Sequence, residues 1–225
     1  MMNVFKSLII MIFMAFFNFS YAGILLGSTR VVIENGRTEG SVNVHNREDN
    51  NYLIQSWVHD KSEIPTNDIA LTPPLFKLSA NTSNALRIVV TKPLPQDKES
   101  LYWLNVKFIP AAKSGNVDNN TLKFALNNQI KIIYRPESLS KESINEQFEK
   151  ILIKKSGNKI LVKNPTKYFI NISAININKE SVKIPSYIEP DGEILVDFPV
   201  KNKSGTLEYI LIDDLGKLNS LTTTI

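Results

Sequence analysis

Residues equipped for covalent or metal chemistry are scarce in this sequence. There is no cysteine, and the two histidines are His45 and His59. A chain without thiols has no thiolate nucleophile, thiolate metal site or disulfide. The histidines fall in separate strand-like runs without a carboxylate at ligand spacing, which predicts ordinary polar positions rather than a metal centre. No Gly-x-Ser-x-Gly, phosphate-binding loop, Gly-x-Gly-x-x-Gly or His-Glu-x-x-His motif occurs. The sequence therefore nominates no catalytic residue, no metal ligand and no cofactor.

Recognition through the backbone has better candidates. Residues 121–134 read as one strand of unusual length. Leu122, Phe124 and Leu126 alternate with Thr121, Lys123, Ala125 and Asn127, which sets three large apolar side chains on one face. After a polar interruption at Asn128 the pattern turns apolar again at Ile130 and Ile132. Two readings are open: all of these fill the home core, or one section serves the core and the other a partner. An exposed section is an aggregation hazard unless a partner covers it. Strand addition would cover it, with main-chain hydrogen bonds for affinity and alternate side chains docked in pockets. Burying each of the three gains roughly 1.5–3 kcal/mol, from which ordering and association subtract much.

The elements that must position this strand are also strands. The chain has 225 residues, is 43% hydrophobic and carries a formal net charge of +4. That length accommodates two ordinary domains, and so mild a charge offers no argument for nucleic acid. Residues 1–22 read as an export signal: Lys6 supplies the basic region, residues 7–17 the apolar core, and Ser20-Tyr21-Ala22 a small-x-small cleavage site after Ala22. The apolar run is short for a membrane span. Beyond it, short β-branched and aromatic runs recur between turn-rich clusters, the pattern of an all-β sandwich. The predicted strands of a first half are 24–33, 41–45, 52–59, 75–78, 85–90, 101–108 and 121–134. Those of a second half are 148–154, 159–163, 168–177, 182–184, 194–196, 206–213 and 218–224. Ser156-Gly157-Asn158 is a hairpin signal, residues 143–150 are the one helix-like stretch, and Trp57 and Trp103 fall in patterns that suggest core positions. The break falls near Arg135-Pro136, since proline ends a ladder. The expectation is two immunoglobulin-like β-sandwich domains, 23–137 and 138–225.

Specific segments resemble a known family. Residues 94–111, Leu-Pro-Gln-Asp-Lys-Glu-Ser-Leu-Tyr-Trp-Leu-Asn-Val-Lys-Phe-Ile-Pro-Ala, closely resemble the signature of periplasmic pilus-assembly chaperones of the chaperone–usher pathway. Thr72-Pro73-Pro74 resembles the family's diproline turn, for which a cis bond is expected. Lys131-Ile132-Ile133-Tyr134-Arg135-Pro136 resembles the end of its subunit-binding strand, and Asn164-Pro165-Thr166-Lys167-Tyr168 a second-domain motif. The resemblance implies two domains in an L or boomerang arrangement, periplasmic residence, and capture of pilus or fimbrial subunits by donor-strand complementation before delivery to an outer-membrane usher. It implies Leu122, Phe124 and Leu126 as donor residues, and Arg30 and Lys131 as the cations that hold the subunit's C-terminal carboxylate. It places Arg87, Glu99 and Asp214 in a buried charge network between the domains, with Asp213 an alternative for the last, and allows self-association through the donor strand. The cysteine-free connection from Pro110 to Thr121 resembles that of members serving rod-like pili.

One feature resists simple alternation. Lys131 is odd-numbered and the donor triplet even-numbered, so a flat strand sets them on opposite faces. Twist, a bulge near Asn127-Asn128, or the edge of the cleft would reconcile them. The competing functional reading is an immunoglobulin-like structural pilus subunit or surface adhesin. Such a subunit needs an N-terminal donor extension, for which residues 23–29 are short. A small hydrolase comes third, without a nucleophile.

Overall fold

A computed structural model describes residues 23–111, 124–198 and 205–225 of the chain. The first half contains β1 (Ile24–Leu26), β2 (Arg30–Ile33), β3 (Glu39–Asn46), β4 (Tyr52–His59), β5 (Ile69–Thr72), β6 (Leu75–Leu78), β7 (Ser83–Val90), β8 (Ser100–Pro110) and β9 (Leu126–Tyr134). They form a four-stranded sheet in the order β1-β3-β7-β5 and a five-stranded sheet in the order β2-β9-β8-β4-β6. Alternation decides what lies between the sheets. Val42, Val44, Leu86 and Ile88 of one sheet meet Ile54, Val58, Leu104, Val106, Phe108 and Ile132 of the other in a single buried core. Burying each such side chain stabilises the fold by roughly 1.5–3 kcal/mol relative to exposure.

The run predicted as one strand over 24–33 is two. β1 pairs with β3, Gly27 N–H donates to the Asn43 carbonyl at 2.8 Å, and the chain then crosses to the opposite sheet, where β2 runs parallel to β9. Val31 and Ile33 enter the first core while Arg30 and Val32 point to the sheet's outer face. The β5 strand was not foreseen. It is joined to β6 through Pro73 and Pro74, and the Thr72–Pro73 bond is cis.

The second half contains β10 (Leu152–Ser156), β11 (Lys159–Lys163), β12 (Ile170–Ile177), β13 (Glu180–Val182), β14 (Tyr187–Ile188), β15 (Glu193–Asp197), β16 (Thr206–Ile212) and β17 (Leu218–Thr224). One sheet is β10-β11-β15; the other is β13-β12-β16-β17, with β14 also paired to β12. The β10–β11 hairpin closes through Gly157-Asn158, with Gly157 at φ 62°, a conformation open to glycine at no steric cost. The connecting segment contains a helix within the helix-like stretch 143–150. A 3-10 turn (Glu137–Leu139) leads to helix α1 (Ile144–Phe148), started by a capping box between Ser143 and Glu146. Ile144 and Phe148 belong to the second core with Ile160, Val162, Ile170, Ile175 and Leu207. Two cores in two sandwiches make a two-domain, all-β protein. A third, small cluster joins them: Leu101 and Ile133 from the first sandwich against Phe169 from the second, with Val32 and Tyr187 at its margin.

Candidate functional site

The β8–β9 ladder runs without a register shift from Ser100↔Tyr134 to Phe108↔Leu126. On its other side β9 meets β2 only from Lys131 to Tyr134. Among the described residues, the edge from Leu126 to Ile130 therefore has no strand partner. Such an edge presents unpaired N–H and C=O groups to any extended chain that approaches. Even-numbered side chains of β9 face the home core, where Ile130, Ile132 and Tyr134 are buried. Leu126 continues that face, as does Phe124 two residues before the strand, but they lie beyond the core and are 65% and 68% exposed. Leu122, the remaining member of the triplet, lies outside the described residues.

Odd-numbered side chains point the other way. Ile133 enters the small inter-domain cluster and Lys131 points toward the second domain. Strict alternation therefore holds, and no bulge at Asn127-Asn128 is present. The cation and the apolar pair occupy opposite faces of one strand.

Arg30 and Lys131 are register partners across the parallel β2–β9 pair, at the point where the unpaired edge ends. Both are buried, at 9% and 8% exposure. Lys131 Nζ donates to Asn171 Oδ1 at 2.7 Å and to the Ser186 carbonyl at 2.9 Å, and lies 5.4 and 5.1 Å from the ring centroids of Trp103 and Tyr187. None of these groups carries a negative charge. Burial, with the nearby Arg30 guanidinium adding to it, pushes the Lys131 ammonium down to about 7. Burial also lowers Arg30 against the pull of Asp214 and Asp213. Arg30 Nε and Nη1 are buried without a hydrogen-bond partner. Buried donors are satisfied in the great majority of cases, and an unsatisfied one costs about 1–3 kcal/mol or more when charged. Two desolvated cations side by side, with donors to spare, are a site built for an anion.

The charge network between the domains has a different centre from the one expected. Arg135 is its hub. Its Nε donates to Glu99 Oε1 at 2.7 Å, its Nη1 and Nη2 to the two Asp214 oxygens at 2.7 and 3.0 Å, and its Nη1 also reaches Glu34 at 3.3 Å. The other Glu99 oxygen accepts from Phe169 N–H at 2.7 Å. Burial pushes the Glu99 carboxyl up toward about 7, against Arg135 and that N–H. Burial disfavours the Arg135 guanidinium, but Asp214 and Glu99 together outweigh it and raise Arg135, so it stays charged. The network thus contains Glu99 and Asp214, while Asp213 instead turns its carboxylate to the Leu215 and Lys217 N–H groups of its own loop. Arg87 stands apart: on β7 its guanidinium pairs with Glu39 across the β3–β7 ladder at the surface, side chains 60% and 47% exposed. Its register on the outer face of the four-stranded sheet explains the placement. The sequence signal for Arg135 was its position as a cation closing an apolar strand before Pro136.

Other polar positions have local partners. His45 Nδ1 lies 2.7 Å from Ser83 Oγ. His59 Nδ1 lies 2.6 Å from the Asp60 carbonyl, which can only accept, so its Nε2 accepts from Gln129 Nε2 at 2.9 Å. The tryptophans are not core residues: Trp57 is 36% exposed and Trp103 lines the Lys131 site, both on the outer face of the five-stranded sheet. Asn171 was missed, although an asparagine inside the run Tyr168-Phe169-Ile170-Asn171-Ile172 signals a buried polar task.

Both halves of the chain are similar to known proteins. Residues 23–140 match the pili and flagellar-assembly chaperone family, PapD N-terminal domain, and residues 146–223 match the pili assembly chaperone PapD, C-terminal domain. The chain belongs to the pilus-assembly chaperone family. It is 34% identical over 205 residues to the chaperone protein FimC of Escherichia coli K12, covering 90% of this chain and 84% of FimC. It is likewise 34% identical to the chaperone protein LpfB of Salmonella typhimurium, with 89% and 88% covered. A solved structure of a Salmonella enterica SafA pilin in complex with the SafB chaperone matches with TM-score 0.79 and 26% identity, covering 92% of this chain and 99% of that one. The family is one of chaperones rather than of enzymes, and the reading as a structural pilus subunit is not favoured.

Proposed function

We propose that this pilus-assembly chaperone captures a subunit by adding β9 and the residues before it as the missing strand of the subunit's own sandwich. The subunit's last strand runs along the vacant edge from Leu126 to Ile130, and Leu122, Phe124 and Leu126 fill its open groove. Its C-terminal carboxylate ends on Arg30 and Lys131. The observation that carries this reading is the pair of buried cations, one with two unpartnered donor nitrogens, at the point where the unpaired edge stops. Charge-assisted hydrogen bonds to the carboxylate contribute about 1.5–3 kcal/mol each. They also set register, because a strand pair without an end stop can slip by two residues.

Export through residues 1–22, with cleavage after Ala22, would deliver the chain to the periplasm, and transfer of the subunit to an outer-membrane usher would complete its task. The domain boundary falls at 137/138 in this reading. Arg135 with Glu99 and Asp214 holds the two sandwiches at the angle that forms the cleft. Co-expression with a subunit from the same gene neighbourhood tests the capture step. A soluble one-to-one complex is expected, absent with Lys131→Ala while the variant itself stays folded. A wild-type yield of complex from that variant rejects the anchor.

A further inference from the structure

We infer that Asn171, on β12 of the second domain, is a positioning residue for the carboxylate site, holding the Lys131 ammonium in place without neutralising it. This deepens the proposed capture of a subunit's C-terminus and rests on it. A lysine ammonium has three donors and no acceptor. Two of them are directed at Asn171 Oδ1 and the Ser186 carbonyl, both in the second domain. The amide must present its oxygen, because its NH2 group could only repel the ammonium. Asn171 is 2% exposed, so its geometry is fixed by packing rather than by solvent.

The chemistry of these partners is the informative part. A buried lysine is ordinarily paired with a carboxylate, and aspartate differs from asparagine by one group of nearly the same shape. Here every contact is neutral: an amide oxygen, a peptide carbonyl and the faces of Trp103 and Tyr187. Such partners orient the ammonium without compensating its charge and leave its third donor for an incoming anion. The other groups around Lys131 are Arg30 on β2, a like charge, the Tyr187 phenol on β14, and His59, one strand further on in the row Lys131–Trp103–His59. Asp213 and Asp214 act on Arg30, not on Lys131. The second domain is thereby a structural part of the anchor, and domain placement sets the direction of the free donor.

The test uses the full mature chain, and a synthetic peptide with the alternating apolar pattern of a subunit's last strand, made with a free carboxylate and as the C-terminal amide. Wild type should prefer the free acid, and Asn171→Asp should erase that preference, a loss of about tenfold or more in the acid-to-amide ratio. A second readout needs no peptide: NMR titration of the Lys131 side chain. Asn171→Asp should move its midpoint up and Asn171→Ala should move it down, since each changes only the stabilisation of the charged form. If wild type is indifferent to amidation, the anchor reading fails and this inference with it. If wild type discriminates and Asn171→Asp does so equally, or the Lys131 midpoint is unmoved in both variants, the anchor stands and the role of Asn171 is rejected.

Discussion

Leu126 stands opposite Phe108 in the β8–β9 ladder, yet the phenylalanine is 2% exposed and the leucine 65%. Directly opposed residues share one face of a sheet. The home core therefore ends between two neighbours, and the apolar face of β9 outruns the sandwich that it belongs to.

This separation allows stability and capture to be read independently. Phe124→Glu and Leu126→Glu replace exposed side chains, so urea unfolding should shift by no more than about 0.5 kcal/mol. The subunit complex should be lost, because a charge does not enter an apolar groove cheaply. Destabilisation beyond about 2 kcal/mol in either variant would return these residues to the home core.

Arg30 should be a liability in the free protein. Two of its nitrogens are buried without partners, and only the pull of Asp214 and Asp213 offsets its burial. Arg30→Met keeps the apolar volume and removes the desolvated charge, so stability at neutral pH should rise by about 1 kcal/mol while capture is abolished. A lower unfolding midpoint would make Arg30 a structural residue.

Lys131 gives opposite pH trends for the two properties. Its folded value lies at about 7, below its ordinary 10.5. Between those values the unfolded chain binds more protons than the folded one, so this residue adds stability as pH rises from about 7 toward 10.5 and loses it as pH falls to 7. Over the same range the ammonium disappears, and capture should weaken from about pH 6 to pH 9. Lys131→Met should flatten the stability profile. An identical slope in wild type and variant would show that Lys131 does not titrate in that range.

Arg135 and Arg87 should differ sharply. Arg135→Ala strands the buried Glu99 carboxylate and releases Asp214, at a cost of about 3–5 kcal/mol. Arg87→Ala removes an exposed pair and should cost under about 1 kcal/mol. Equal effects in equilibrium unfolding would displace Arg135 from the centre of the network.

Where pattern alone governs, the sequence was legible. The alternation in β4 and β11 gave their limits, as did Gly157 in the β10–β11 turn, because each depends on neighbours along the chain. The two-sandwich architecture followed from the spacing of such runs. The conflict between Lys131 and the donor residues dissolves once β9 is seen to have a use for both faces. What could not be read depends on partners distant in sequence. Gly27-Ser28-Thr29 offers a local break within residues 24–33, but that the chain changes sheet there depends on its pairing with β3 and β9. Arg87 lies within β7 and Arg135 just after β9, and only the packing of Phe169 beside Glu99 tells which is buried. Trp57 and Trp103 lie outside the core because both sit on the outer face of the five-stranded sheet, where Trp57 meets solvent and Trp103 the Lys131 side chain.

The crossing of the N-terminal segment at Gly27–Thr29 acts as a ruler. Because β2 begins at Arg30 and occupies the flank of β9 only from Lys131 onward, the berth for a guest chain in the proposed capture would have a fixed terminus, with the two cations at it. Each residue of displacement would move that terminus by roughly 3.3 Å. Inserting or deleting even two residues here would leave the berth intact but its end post misplaced, so the guest would dock out of step.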